Sequence, residues 1–218
     1  MPATARPILC YVTDRHLLGT EEEERLAALR EVIRRAVAAD VDWVQIREKD
    51  LSGRQLSELT RDAVAAAAGT STRILVNDRL DIALGLGAAG VHLGEESFSV
   101  DAVVRWRKSD ETYAHFLVGA SCHSLDAAQQ AERDGADYIF FGPVFDTPAK
   151  RKFGPPQGIE RLKEVCHGVQ IPVLAIGGVT IENARECLQA GAAGLASIRL
   201  FQNAQDLPAL LSRLRPNL

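Results

Sequence analysis

Short runs of β-branched and aromatic residues alternate with longer runs rich in Ala, Leu, Glu and Arg, and the chain repeats this alternation eight times. The predicted strands cover residues 8–13, 43–48, 73–77, 90–94, 116–121, 138–145, 172–178 and 194–199. Strands that alternate with helices predict a parallel sheet with right-handed crossovers. Eight such units predict a closed (β/α)₈ TIM barrel, with residues 1–218 forming one domain. The alternative is an open doubly wound sheet, but no GxGxxG motif follows the first strand.

Composition excludes several classes of protein. The chain has 218 residues, a net charge of −4 and 46% hydrophobic residues, which suits one large α/β domain. No window approaches ~18 uninterrupted apolar residues, so we expect no membrane span and no signal peptide. The mild acidity argues against a general nucleic-acid binder. The cysteines are far apart and lack CxxC spacing, so we expect free thiols in a reducing cytoplasm. They are Cys10, Cys122, Cys166 and Cys187.

Chemistry in such a barrel lies where the strands end. Gln45, Arg47 and Lys49 are spaced by two, which puts all three side chains on one face of a strand. Two cations inside a barrel need an anion to compensate them, so this triplet predicts a phosphate or pyrophosphate site. The alternative is a surface set of salt bridges with Glu48 and Asp50.

Two later segments also suit phosphate. Gly177 and Gly178 separate the seventh strand from a helix, where backbone N–H groups can approach an anion closely. A plain tight turn with Thr180 as the helix N-cap is the alternative. The Gly/Pro-rich loop after the sixth strand is long enough to be a binding loop, in which Thr147 and Lys150 could meet phosphate oxygens. The alternative there is a solvated basic loop.

Asn77 and Asp78 end the third predicted strand and have two interpretations. Oxygen ligands at this position suit Mg²⁺, for which the next loop would have to supply Glu95 or Glu96 as a partner. Either Asn77 or Asp78 could instead be a helix N-cap, and we expect that role for one of them.

The segment GASCHS places Cys122 directly before His123, which raises the question of a nucleophilic dyad. Neighbouring residues on a strand face opposite sides, so His123 should share a face with Ser121 while Cys122 packs in the strand–helix layer. His123 is then a candidate general acid or base, or merely the neighbour of a helix N-cap. His92, inside GVHLG, is expected to be a packed, hydrogen-bonded residue.

Several segments in register resemble the thiamine-phosphate synthase/TenI family. They are VQIREKD, LVNDRLDIALGLGAAGVHLG, VGASCHSLDAAQQAERDGADYIFFGPVFDTPAK and IPVLAIGGVTIENARECLQAGAAGLASI, and together they cover nearly the whole chain. The resemblance implies a TIM barrel and one of two activities. A synthase joins hydroxymethylpyrimidine pyrophosphate to hydroxyethylthiazole phosphate and releases pyrophosphate. A TenI-type tautomerase aromatises a thiazole carboxylate phosphate by proton transfer.

The two activities imply different roles for the same residues. For a synthase, the resemblance gives Asp78 to Mg²⁺ and Gly178 to the thiazole phosphate. It gives the pyrimidine pyrophosphate to Gln45, Arg47, Lys49 and Asn77, with Thr147 and Lys150 in the pyrophosphate loop. For a tautomerase, it implies His123 as the acid/base and no metal. In either case it implies a phosphorylated thiazole as substrate and allows a homo-oligomer.

The chain departs from the synthase pattern at three positions. Ser97 stands where a second metal-binding carboxylate is expected, Ala149 replaces a hydroxyl residue, and Arg199 replaces a phosphate-binding Ser. An Arg could still grip a phosphate in a bidentate manner. Our leading hypothesis from sequence is therefore a tautomerase in which His123 moves the proton and the glycine turn, with Arg199, holds the phosphate. The synthase is the alternative, favoured by Asp78 and the intact Gln-x-Arg-x-Lys triplet, and a non-catalytic barrel that binds a thiamine precursor is a second alternative.

Overall fold

The computed structural model describes residues 6–94, 97–147 and 155–215. The strands are β1 (Ile8–Val12), β2 (Trp43–Ile46), β3 (Arg73–Asn77), β4 (Gly90–Leu93), β5 (Leu117–Cys122), β6 (Tyr138–Phe141), β7 (Val173–Ile176) and β8 (Gly194–Ser197). The helices are α1 (Glu22–Ala38), α2 (Gly53–Ala67), α3 (Leu80–Gly85), α4 (Val100–Lys108), α5 (Leu125–Arg133), α6 (Gly158–Gly168), α7 (Ile181–Gln189), α8 (Arg199–Gln202) and α9 (Leu207–Leu214). Two 3₁₀ turns cover Arg15–Leu17 and Glu111–Tyr113.

The eight strands pair in chain order and close into a barrel, which confirms the predicted fold. All pairs are parallel, and β1 closes the ring by pairing with β8, with Cys10 opposite Ala196 and Tyr11 opposite Ser197. A parallel ring of this kind brings the carboxyl ends of all strands to one rim, where barrel enzymes carry their sites.

The strand residues divide into two apolar layers because successive side chains point to opposite faces. The larger layer lies between strands and helices and includes Tyr11, Val44 and Ile139. The smaller layer fills the barrel and includes Cys10, Leu75 and Leu174. Most strands are apolar on both faces, as in YIFF of β6 and VLAI of β7, so the two-residue period of a strand, and not a change in hydrophobicity, decides which side chains face the interior.

Two aromatic rings close the lower interior of the barrel. The ring centroids of Trp43 and Tyr138 are 4.6 Å apart. Tyr138 crosses so close to β5 that a Cβ atom at position 119 would stand 2.0 Å from its Cζ, which is why Gly119 is required there. The floor formed by these rings confines any ligand to the half of the barrel near the carboxyl ends of the strands.

Several helices begin where a local side chain accepts a hydrogen bond from an N–H group of the first turn. Ser52 with Gln55 and Thr180 with Asn183 form capping boxes at α2 and α7, so the predicted N-cap role of Thr180 is confirmed. Four predicted strands extended two or more residues too far, since β2, β6, β7 and β8 end at Ile46, Phe141, Ile176 and Ser197. The short helix α8 was not predicted from sequence. None of the described helices is both long and apolar enough to cross a membrane.

Candidate active site

Polar side chains form a layer inside the barrel, directly above the aromatic floor. They are Gln45, Asn77, His92 and Ser121. They occupy inward positions of four consecutive strands, β2 to β5, as the strand periodicity predicts. A polar layer in an otherwise apolar barrel is costly unless each group finds a partner, so its hydrogen bonds show which atoms remain for a ligand.

His92 is fully engaged with the protein. Its Nδ1 lies 3.1 Å from the Tyr138 hydroxyl and its Nε2 lies 2.9 Å from Ser121 Oγ. Its ring also packs on Phe140, with centroids 4.2 Å apart. Burial lowers the pKa of His92 to about 3, the Asp78 carboxylate opposes that shift, and the Arg47 charge adds to it. His92 is therefore a neutral, packed histidine, as predicted.

A relay of side-chain amides connects the barrel interior to a carboxylate. Asn77 Nδ2 donates to Asp78 Oδ2 over 2.5 Å, and Gln45 Nε2 donates to Asn77 Oδ1 over 2.9 Å. An ionised carboxylate only accepts hydrogen bonds, so Asp78 dictates the orientation of both amides. Gln45 is 1% exposed, and among the described residues its buried Oε1 has no hydrogen-bond partner. The relay therefore presents an acceptor inside the barrel that a ligand donor can satisfy.

Asp78 lies at the rim in the left-handed region, with φ of 62°. Its Oδ1 accepts from the Gly94 N–H over 3.0 Å and from the Ser97 hydroxyl. The N-cap of α3 is Arg79, which makes no side-chain capping bond, so the expected N-cap role of Asn77 or Asp78 is wrong. The inward turn of the backbone at Asp78 points the carboxylate at the next loop instead of at its own helix. A strained backbone at a polar rim is typical of functional sites.

Arg47 and Lys49 follow β2 on the side of the site. Arg47 is half-buried and close enough to His92 to affect its pKa, and Lys49 lines a cavity of about 220 Å³ together with Asn77 and Asp78. Within the described part of the chain, neither cation forms an ion pair. The alternative of a salt-bridge set within this segment is wrong.

The acidic residues that alternate with those cations, Glu48 and Asp50, have another partner. Glu48 and Asp50 both pair with Arg15, at 3.2 and 2.7 Å. Arg15 holds the pKa of Asp50 well below its usual range. The predicted phosphate site therefore keeps two cations available for an anion.

His123 follows β5 at the same rim. Its Nδ1 faces the carbonyl oxygen of Gly142, which can only accept, so Nδ1 carries the proton and Nε2 is the basic nitrogen of the neutral ring. Ser124 caps α5, so His123 is also the predicted neighbour of an N-cap. Cys122 is 2% exposed and packs in the strand–helix layer, as predicted.

The glycine turn after β7 packs tightly beneath the loop that leaves β6. Gly177 and Gly178 have φ of 90° and 68°. A Cβ atom at Gly178 would stand 2.7 Å from both the Asp146 carbonyl oxygen and the Phe145 Cβ. The Phe145 N–H donates to the Gly177 carbonyl over 2.9 Å, so the two loops form one wall of the rim. The predicted phosphate role of the turn stays a prediction.

The remaining predicted residues lie at the edge of this site or outside the described ranges. Thr147 is half-buried and is the last residue described before the gap at 148–154, which includes Lys150. Glu95 and Glu96 also lie outside the described residues. Arg199 is exposed at the first position of α8. Ser197, which sequence analysis did not single out, ends β8 and accepts from the Leu200 N–H over 3.4 Å. Its only sequence signal is a hydroxyl at the end of a strand.

Among residues 6–94, 97–147 and 155–215 there is no group of three His, Cys, Asp or Glu side chains that could hold a metal ion.

A larger cavity, about 610 Å³, lies at the opposite end of the barrel, where Arg73 and Leu117 begin their strands. Its Arg107 is already paired with Asp137. The polar side chains that converge on one point, and with them the candidate site, therefore lie at the carboxyl rim and not at the larger cavity.

The chain is similar to proteins of thiamine biosynthesis. The family model described as thiamine monophosphate synthase matches residues 9–201. A putative thiamine-phosphate synthase of Geobacter sulfurreducens is 44% identical over 190 residues, which cover 87% of this chain and 84% of that protein. The thiamine-phosphate synthase of Roseiflexus castenholzii is 36% identical over 203 residues, which cover 93% and 84%. The solved thiamine phosphate pyrophosphorylase of Pyrococcus furiosus matches with a TM-score of 0.77 and 33% identity, covering 95% of this chain and 94% of that one. These names favour the synthase alternative over the tautomerase.

Proposed function

We propose that this chain, which belongs to the thiamine monophosphate synthase family, is a thiamine-phosphate synthase that couples hydroxymethylpyrimidine pyrophosphate to hydroxyethylthiazole phosphate. The tautomerase, our leading hypothesis from sequence, lacks support among the named relatives. The proposal therefore depends on whether the described site suits a pyrimidine pyrophosphate.

The observation that carries the proposal is the unpartnered Oε1 of Gln45. It lies 1% exposed in the barrel and is fixed as an acceptor by the relay through Asn77 to Asp78. A buried acceptor without a donor is costly, so the site gains most from a ligand that donates there. The amino group of the pyrimidine is such a donor. A thiazole carboxylate presents only acceptors and would leave Gln45 unsatisfied.

The cations at the rim suit the other end of the same substrate. Arg47 and Lys49 lie two and four residues beyond Gln45 in the chain, and both are without an ion pair in the described structure. A guanidinium and an ammonium group that follow the ring acceptor along the same strand end can hold a diphosphate while Gln45 holds the ring. The Gln45 acceptor and the two cations are matched by a substrate that has a hydrogen-bond donor on its ring and a diphosphate leaving group. Of the two candidate substrates, the pyrimidine pyrophosphate of the synthase has both.

Mg²⁺ fits this site only in a minimal form. Asp78 supplies one carboxylate and Ser97 a hydroxyl, and the described ranges contain no group of three His, Cys, Asp or Glu side chains that could hold a metal ion. Mg²⁺ is often held by one or two carboxylates together with substrate phosphates and water, so Asp78 with a bound pyrophosphate meets that requirement. The ion would neutralise charge on the departing pyrophosphate.

The proposed reaction exchanges one bond for another. The C–O bond between the pyrimidine methylene and pyrophosphate breaks, and its electron pair leaves with the pyrophosphate. The nitrogen lone pair of the thiazole forms the new C–N bond, which creates the thiazolium cation. No proton moves, so the residues of this chain act by charge: Arg47 and Lys49 stabilise the leaving group, and Gln45 orients the ring.

A coupled assay with both synthase substrates and Mg²⁺ tests the proposal. We expect thiamine phosphate and pyrophosphate in equal amounts, with no turnover of a thiazole carboxylate phosphate supplied alone. Turnover of the carboxylate substrate without thiamine phosphate would restore the tautomerase. Binding of either substrate without turnover would support the non-catalytic barrel instead.

A further inference from the structure

We propose that Arg15 is a positioning residue for the pyrophosphate-binding cations. By holding the two acidic side chains that alternate with Arg47 and Lys49, it leaves both cations available to an anionic substrate. This inference rests on the proposed function, because it assumes that the site binds pyrophosphate.

Arg15 is a buried cation that binds three carboxylates. It lies in the 3₁₀ turn after β1 and is 3% exposed. Its guanidinium donates to Asp50 through two bonds of 2.7 and 2.8 Å, to Glu48 over 3.2 Å and to Glu22 over 2.8 Å. Its backbone N–H also donates to both carboxylate oxygens of Glu48, each over 3.2 Å. The planar fork of an arginine suits this geometry, which a lysine cannot reproduce.

These contacts divide the segment after β2 into two faces. Glu48 is buried against Arg15, and Asp50 reaches the same guanidinium from the surface. Arg47 is instead half-buried, and its backbone N–H donates to Thr13 Oγ1 over 2.9 Å. Its charge adds to the lowering of the pKa of His92, which lies inside the barrel. The pattern of alternating charge is thus resolved into an acidic face that Arg15 neutralises and a cationic face at the site.

Without Arg15, the acidic face has a nearby alternative. Glu48 borders the same 220 Å³ cavity as Lys49 and Asp78. If Glu48 loses Arg15, an ion pair with another cation becomes favourable, because an unpaired buried charge is strongly disfavoured. Lys49 and Arg47 are the adjacent candidates in the chain. An ion pair within the segment would occupy the groups that the pyrophosphate needs.

Calorimetric titration with inorganic pyrophosphate at a fixed Mg²⁺ concentration tests this role through four proteins. They are the wild type, Arg15→Met, the double variant Glu48→Gln/Asp50→Asn, and the triple variant that combines all three changes. We expect Arg15→Met to bind pyrophosphate about tenfold or more weakly, a loss typical of a charged contact. The triple variant should recover affinity to within about twofold of the wild type, since it lacks the competing carboxylates.

Each outcome decides one point. Unchanged affinity in Arg15→Met, or no recovery in the triple variant, overturns the positioning role, since a purely structural Arg15 would not be rescued by removing acids. A wild type that does not bind pyrophosphate overturns the proposed function itself. If Arg15→Met fails to fold, Arg15→Lys replaces it, and wild-type affinity there overturns the role. Arg54→Met, which removes an exposed pair with Glu58 of 3.0 Å, is the matched control and should bind as the wild type.

Discussion

The Ser97 hydroxyl donates to Oδ1 of Asp78, the carboxylate that also orients the amide relay into the barrel. The two loops after β3 and β4 thus meet at one atom. Because Ser97 lies in hydrogen-bond contact with Asp78, a carboxylate in its place would stand beside the first one. A substitution of Ser97 therefore changes the charge at the proposed Mg²⁺ site beside Asp78.

Ser97→Asp should lower the Mg²⁺ concentration that gives half-maximal synthase activity by about tenfold, because affinity for hard cations rises with the number of charged ligands. Titration of activity against Mg²⁺ measures this, and Mn²⁺ binding followed by electron paramagnetic resonance gives a readout without turnover. Ser99→Asp is the matched control, since Ser99 caps α4 and Asp caps equally well. Equal shifts in both variants would mean that added charge alone, and not a second ligand, causes the effect.

Strand periodicity was enough to predict the barrel, the inward positions of Gln45 and Ser121, and the outward position of Cys122. It could not predict where the acidic residues after β2 turn, because Arg15 comes from another strand end and contacts them only in the closed ring. The prediction that Asn77 or Asp78 caps α3 was wrong for a related reason. The partners of Asp78, Gly94 and Ser97, lie 16 and 19 residues away in the chain. Local sequence propensity carries no information about contacts at that separation.

His123 separates the two activities of the family. The proposed coupling transfers no proton, so His123→Ala should reduce thiamine phosphate formation by less than about tenfold, within the range of a lost orienting contact. A proton-transfer aromatisation would depend on Nε2, which the Nδ1 contact with the Gly142 carbonyl leaves as the basic nitrogen. Steady-state kinetics of the variant on both substrates measure the difference. A loss of synthase activity of a thousandfold or more, in a variant with unchanged thermal stability, would give His123 a catalytic role in coupling.

His92 should make the protein sensitive to acid. Burial lowers its pKa to about 3 in the folded state, against an ordinary value of 6.5 for histidine. Between these values the unfolded chain binds a proton that the folded chain does not, so stability is lost as pH falls through this window. One proton corresponds to ~1.4 kcal/mol of unfolding free energy per pH unit.

Urea unfolding of the wild type and His92→Gln between pH 4 and 6 measures this contribution. The pH slope of the variant should be smaller by about one proton, although its stability at pH 7 is also lower because the contacts with Tyr138 and Ser121 change. His167→Gln replaces an exposed histidine of α6 and should keep the wild-type slope. Identical slopes in the wild type and His92→Gln would mean that His92 is charged in the folded protein.

Gly178→Ala should damage the rim beyond the effect of backbone strain. A left-handed alanine costs about 1 kcal/mol by itself. At this position its Cβ would also stand 2.7 Å from the Asp146 carbonyl oxygen, so the loop after β6 must move. We expect a total loss of about 2–4 kcal/mol in unfolding free energy and a higher KM for the thiazole phosphate.

Gly69→Ala isolates the contribution of crowding in that experiment. Gly69 has φ of 76°, close to the 68° of Gly178, but a Cβ there meets nothing within 4 Å. Chemical unfolding of both variants therefore compares equal strain with and without a collision, and only Gly178→Ala should change KM. Equal losses of unfolding free energy in the two variants would mean that the loop after β6 moves aside at no cost. The rim would then not be the rigid wall that its backbone hydrogen bonds indicate.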